Sequence, residues 1–238
     1  MYALTPLKVY AMDAVRDDPA CTARMQRMLE AIGWSADEVT WVSEEALPAA
    51  MEELLSLWPP QTVPAGGARS YMRPWVFTKM DLSGRPPSVA PLLQRCPHGT
   101  PEGLLRRICG QFTAVVDQHP YQLDQRENMV CWPTLNLGTV NGCPHGCQYC
   151  GAGRDGMALV ITLNLEAYME QVVGPVIEAN PWSKVLRMIL DNTELVAFEP
   201  EYGLFDLFTR KLAEHDGRYG HFHTAGAYAD WLEHVPHR

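Results

Sequence analysis

No run of the sequence approaches the ~18 consecutive apolar residues that a membrane-spanning helix needs. The N-terminal MYALTPLKVYAMDAV lacks both the charged start and the long apolar stretch of a signal peptide, so a cytoplasmic location is expected. Basic runs are missing too. The formal net charge is −9, and no Lys/Arg cluster supplies the local positive field that phosphate backbones require. Composition excludes disorder, at 47% hydrophobic and 20% charged residues. The seven cysteines are an odd number in a chain of 238 residues without an export signal, which argues against a disulfide framework. Clustered thiolates point instead to metal or redox chemistry.

The length suffices for one large domain or two small ones. PLKVYAM (6–12) reads as a short strand. Asp17 and Asp18 precede Pro19, a cap followed by a first-turn proline. Met25, Met28, Leu29 and Ile32 then recur at helical spacing until Gly33. A second helix starts near Ser43, carries Leu47, Met51, Leu54, Leu55 and Trp58 on one face, and stops at Pro59-Pro60. PPQTVPAGG and SGRPPS predict an irregular connector from residue 61 onward. Further on, Leu104, Leu105, Ile108 and Phe112 fit a helix.

From residue 132 strand and helix alternate. TLNLGTV (134–140), VLRMIL (185–190) and YGHFH (219–223) read as strands. Leu165, Tyr168, Met169, Val172, Val173, Val176 and Ile177 mark a helix with Asn164 as its cap, interrupted at Gly174-Pro175. Leu204, Phe205, Phe208 and Leu212 mark another, and Tyr228, Trp231 and Leu232 begin a last one. Three strand–helix units in succession predict a parallel sheet of the α/β class, too few to close a barrel. The expected layout is an N-terminal strand and helix region (1–60), an irregular connector (61–131) and a (β/α) core of three units (132–238), incomplete at the C-terminus.

The chemistry concentrates in GCPHGCQYC, residues 142–150, where Cys143, Cys147 and Cys150 stand at C-x3-C-x2-C spacing between a strand and a helix. Three thiolates so close can hold three irons of a [4Fe–4S] cubane and leave the fourth open to a non-protein ligand. An open iron can chelate the amino and carboxylate groups of S-adenosylmethionine, and the end of a parallel strand is where such sites lie. The competing reading is structural zinc, with His145 or His119 as fourth ligand. Zinc favours paired C-x2-C knuckles, and this loop has one.

With Tyr149 just before its last cysteine, the loop resembles the radical S-adenosylmethionine superfamily. Within that superfamily the chain is similar to the spore photoproduct lyase-like group. PLKVYAMDAV resembles that group's opening, CPHGTPEGLLRRICGQF a segment ahead of the cluster, and ITLNLEAYMEQV the strand and helix after it. ILDNTELVAFEPEYGL resembles the second strand with its loop, and HFHTAGAYADWLEHVPH the third.

The resemblance implies a partial (β/α) radical-SAM barrel with an N-terminal mixed helical region. It also implies a [4Fe–4S] cluster on Cys143, Cys147 and Cys150, and S-adenosyl-L-methionine held near Tyr149, Asn192, Thr193 and Glu194. Reductive cleavage to a 5′-deoxyadenosyl radical would follow, with electrons from a donor such as a flavodoxin or ferredoxin. A nucleotide or DNA substrate enters through the resemblance alone.

Three departures point away from photoproduct repair. LDNTEL has no thiol where the group's lyases return a hydrogen atom, Thr224-Ala225 replaces a Thr-Lys step, and Gly151 replaces an aromatic residue. The rival readings are a truncated or degenerate relative without turnover and a zinc-binding module.

Other polar residues carry weaker signals. Asn192, Thr193 and Glu194 also suit the start of a capped helix. Cys96-Pro97-His98-Gly99 repeats the CPHG of the loop and, with Cys109 and Cys131, offers a second metal site or simply small core thiols. His221 and His223, two apart on a strand, point to one face.

Overall fold

The computed structural model describes residues 4–57, 61–65, 68–112, 115–117, 134–145, 157–188, 193–222, 224, 230 and 233. Its strands, in chain order, begin with Val9–Met12 (β1), Thr40–Val42 (β2), Gln61–Ala65 (β3), Ala68–Met72 (β4) and Trp75–Thr78 (β5). There follow Val115–Asp117 (β6), Thr134–Leu137 (β7), Val140–Asn141 (β8), Leu159–Thr162 (β9), Val185–Arg187 (β10) and Tyr219–His221 (β11). One sheet has the order β2-β1-β5-β9-β8, a second β11-β10-β7-β6, and β3 and β4 form a separate hairpin.

The pairs β1/β2, β1/β5 and β5/β9 are parallel, as are β7/β10 and β10/β11. Only β8 against β9 and β6 against β7 turn antiparallel within the two larger sheets. The three strands expected from residue 132 onward thus lie side by side, as a three-unit parallel core requires.

The five-stranded sheet is covered on both faces. Val9 and Ala11 of β1, Trp75 and Phe77 of β5, and Leu159 and Ile161 of β9 belong to one core, with Met25, Met28 and Leu29 of the helix Pro19–Ala31. The intervening Tyr10, Met12, Val76 and Val160 belong to another, with Leu47, Met51 and Leu54 of the helix Leu47–Ser56 and Leu105 and Ile108 of the helix Glu102–Ile108. Alternation of side chains across a strand produces this division. Because both faces are dry, β1 and β5 are buried at every position and show no polar alternation in the sequence.

The structure corrects several expectations here. The stretch read as an irregular connector supplies β5 to the middle of the sheet and also forms the β3/β4 hairpin. Strand pairing runs across the expected boundaries at 60 and 131, because β9 joins β5 and β5 joins β1. The N-terminal region holds both expected helices, and parallel strands as well.

Asn164 occupies the position before the helix Leu165–Tyr168 without capping it. Its amide pairs with the Met80 backbone, accepting from N–H at 2.7 Å and donating to the carbonyl at 3.0 Å. The interruption at Gly174-Pro175 takes the form of a π-helical turn, Met169–Val173, ahead of the helix Gly174–Ala179. Trp58 and the helix expected around Tyr228, Trp231 and Leu232 lie outside the described residues.

Two buried polar groups anchor helices. Arg24 is 4% exposed. It donates from Nε to the Tyr202 carbonyl at 2.9 Å, from Nη1 to that of Leu163, and to both Glu166 oxygens at 3.0 and 2.6 Å. Arg24→Met is expected to strand these acceptors and cost about 2–4 kcal/mol, read as a lower urea midpoint. A midpoint unchanged from the wild type would mean that the fork contributes nothing net.

Glu199 accepts from the backbone N–H groups of Gly203 at 3.1 Å and Leu204 at 2.9 Å, at the start of the helix Leu204–Ala213. Burial pushes its carboxyl from 4.5 up to about 7, against these hydrogen bonds. A raised folded-state value favours the protonated fold. This contribution is complete below about pH 4.5 and is lost as pH rises through about 7. Glu199→Gln is expected to flatten the fall in stability between pH 5 and 8 by on the order of 2–3 kcal/mol relative to the wild type. Parallel pH slopes for the two proteins in urea titrations would overturn this.

Candidate functional site

The cysteine loop begins where the chain changes sheets. TLNLGTV reads as one strand, but β7 pairs with β10 in one sheet while β8 pairs with β9 in the other. The change occurs at Gly138-Thr139, where buried backbone groups leave the pairing of the first sheet and need further partners. Three buried hydroxyl side chains meet them. Tyr168 has a backbone hydrogen bond at Gly138. Tyr202 donates from its hydroxyl to the carbonyl of Thr162 at 2.7 Å and lies 3.3 Å from that of Thr139. Thr193 donates to the carbonyls of Val140 at 3.1 Å and Gly142 at 2.7 Å. Burial pushes both tyrosine hydroxyls well above their usual range, so they stay protonated, Tyr202 as a donor while Tyr168 accepts from the Gly138 backbone.

Gly142 leads directly into Cys143. Its φ is +92°, and a Cβ there would lie 2.8 Å from the Ala158 carbonyl oxygen. Cys143 is 8% exposed. His145 follows, half-buried. Burial holds its imidazole below the usual value, and the Glu194 carboxylate partly opposes this. Glu194 is itself buried. Gly142, just after β8, and Thr193, in the segment that follows β10, therefore meet beside Ala158 at the N-terminal end of β9.

Of the residues singled out in the sequence, the structure brings together Cys143, Thr193 and Glu194. Cys147, Cys150, Tyr149 and Asn192 lie outside the described residues, as do His119, Cys131 and His223. Among the described residues no group of three metal-ligating side chains occurs. A thiol at Cys143, on a loop carrying two further cysteines, is a donor set that suits iron–sulfur or zinc and not hard cations.

Cys96 and Cys109 pack against the second core, on the sheet face opposite the main core, and burial pushes the Cys109 thiol up to about 11. His221 sits half-buried on β11. Among the described residues no helix is long and apolar enough to cross a membrane.

The sequence reading placed Tyr168 on a helix face without a polar role, and it missed Tyr202 and Arg24. Arg24 shares a helical face with Cys21, Met25 and Met28, and that spacing was the available signal. The tyrosines carried none, because their partners are backbone groups distant in the chain.

No protein-family model and no curated protein matches the chain. Solved structures do. A cysteine-to-alanine variant of spore photoproduct lyase with a dinucleoside spore photoproduct aligns over 98% of this chain and 53% of its own, at 10% identity and a TM-score of 0.54. A double variant of the same lyase with AdoMet and the dinucleoside photoproduct bound aligns over 98% and 54%, at 11% identity and a TM-score of 0.52. The chain thus spans about half the length of these enzymes, and over that half it has the fold of spore photoproduct lyase, a mixed α/β architecture with the parallel strands of a partial radical-SAM barrel.

Proposed function

We propose that this chain is a radical S-adenosylmethionine enzyme, with Cys143, Cys147 and Cys150 as ligands of a [4Fe–4S] cluster. The observation that carries the reading is the position of Cys143. It leaves β8 beside the exit from β10, in a fold shared with spore photoproduct lyase, on a loop with C-x3-C-x2-C spacing. Bound there, the cluster and S-adenosylmethionine would supply reductive cleavage of the sulfonium and a radical able to abstract hydrogen.

The protein's own residues bind, orient and exclude water. Gly142 permits the turn into the loop, and Leu159 and Ala158 close its inner side. Glu194, buried just before the short helix Leu195–Phe198, is a candidate for the ammonium or hydroxyl groups of the cofactor, together with Asn192 and Tyr149. Electrons would come from a flavodoxin- or ferredoxin-like donor.

The substrate class that the fold likeness suggests is a nucleotide. Photoproduct reversal is set aside, since no cysteine stands between Val185 and Pro200 to return a hydrogen atom.

Anaerobic reconstitution with iron and sulfide, followed by metal analysis and chromatography of the cofactor, tests this reading. The expected result is about four irons and four sulfides per chain, with 5′-deoxyadenosine formed under dithionite. Tight zinc without iron would replace it with the zinc-binding module. A full cluster without cofactor cleavage would leave a degenerate relative.

A further inference from the structure

The exit from β10 and the cysteine loop meet at one side chain. Thr193 is 5% exposed, and its Oγ1 lies 2.7 Å from the Gly142 carbonyl oxygen and 3.1 Å from that of Val140. A hydroxyl has one proton, so the two carbonyls share it, and neither has bulk water as a substitute at this depth. The Gly142 carbonyl belongs to the peptide that joins Gly142 to Cys143. Its plane fixes the N–Cα bond from which the Cys143 side chain hangs, and so limits the directions that side chain can take.

On the other side the same glycine abuts the Ala158 carbonyl, with only 2.8 Å to where a Cβ would stand. The peptide before Cys143 is therefore clamped between Thr193 and the residue before β9.

We propose that Thr193 is a positioning residue for Cys143. Its hydroxyl holds the Gly142–Cys143 peptide, and so the aim and accessibility of the thiol, instead of contacting the cofactor. The significance of that aim rests on the cluster reading above, whereas the hold on the peptide is measurable without any metal.

The test uses Thr193→Val, which keeps the shape and removes the donor, beside Thr193→Ser, which keeps the donor. In the metal-free, reduced full chain, alkylation by iodoacetamide is followed peptide by peptide in a mass spectrometer. Cys143 labelling is expected to accelerate roughly tenfold in Thr193→Val, about what the loss of one buried hydrogen bond does to an opening equilibrium. In Thr193→Ser it should stay within about twofold of the wild type. Cys21, fully buried in the main core, is the internal control and should not change.

In the iron-loaded protein, release of iron to a chelator should follow the same order. Equal labelling of wild type and Thr193→Val would overturn the inference. So would equal acceleration in both variants, or acceleration at Cys21 matching that at Cys143, since either marks loosened packing. A wild type that takes up no iron would defeat the cluster reading alone, and the labelling result would still decide the role of Thr193.

Discussion

Cys143→Ala is expected to reduce the iron retained after anaerobic reconstitution at least tenfold and to abolish cofactor cleavage. Removing even an outer partner of a metal ligand commonly costs roughly 10–100-fold in affinity, so losing one of three thiolates should cost no less. The fold should tolerate the change. Cys143 is a small buried side chain, and removal of one sulfur costs on the order of 1 kcal/mol, comparable to trimming one methyl group. A urea midpoint lowered by no more than that small cost, beside lost iron, would separate ligation from folding. Cys96→Ala and Cys109→Ala serve as controls expected to keep full iron, because both thiols pack against the second core. Iron at wild-type level in Cys143→Ala would remove this residue from the ligand set.

Gly142→Ala is expected to destabilise the protein by roughly 2–4 kcal/mol and to lower iron loading with it. Two costs combine. A left-handed φ of +92° is one that a residue with a Cβ rarely adopts. In addition, the new methyl would stand 2.8 Å from the Ala158 carbonyl oxygen, a backbone atom that cannot swing aside. The Leu159 Cδ2 methyl, at 3.2 Å, would have to shift by a few tenths of an ångström as well. Denaturant unfolding of wild type and variant measures the first effect, and iron analysis the second. A variant within about 0.5 kcal/mol of the wild type would show that the loop relaxes freely, and the clamp described around Cys143 would fail with it.

Local chemistry was legible in the sequence wherever a signal and its partner lie close together. Asp18 and Pro19 announced a helix start, and the Asp18 carboxylate does accept from the N–H groups of Ala20 and Cys21. The helical spacing of Leu204, Phe205, Phe208 and Leu212 gave the helix Leu204–Ala213, with all four residues buried. Of the cysteine loop, the described residues show Cys143 following β8.

What stayed hidden depends on partners distant in the chain. WVFT, the whole of β5, is three apolar residues and a threonine without polar alternation, framed by Pro- and Gly-rich segments, and burial on both faces makes it a strand. TLNLGTV carries no mark of its division between two sheets, because the groups that stabilise the change come from Tyr168, Tyr202 and Thr193, and their bonds go to backbone atoms. Asn164 looked like a cap since nothing nearby reveals Met80, the residue its amide binds.

Electron paramagnetic resonance of the dithionite-reduced, reconstituted protein, with and without S-adenosylmethionine, tests the central claim most directly. The account predicts a reduced-cluster signal whose g-values shift when the cofactor is added, as an iron without a protein ligand takes up its amino and carboxylate groups. A protein that gives no cluster signal and instead retains zinc would contradict it.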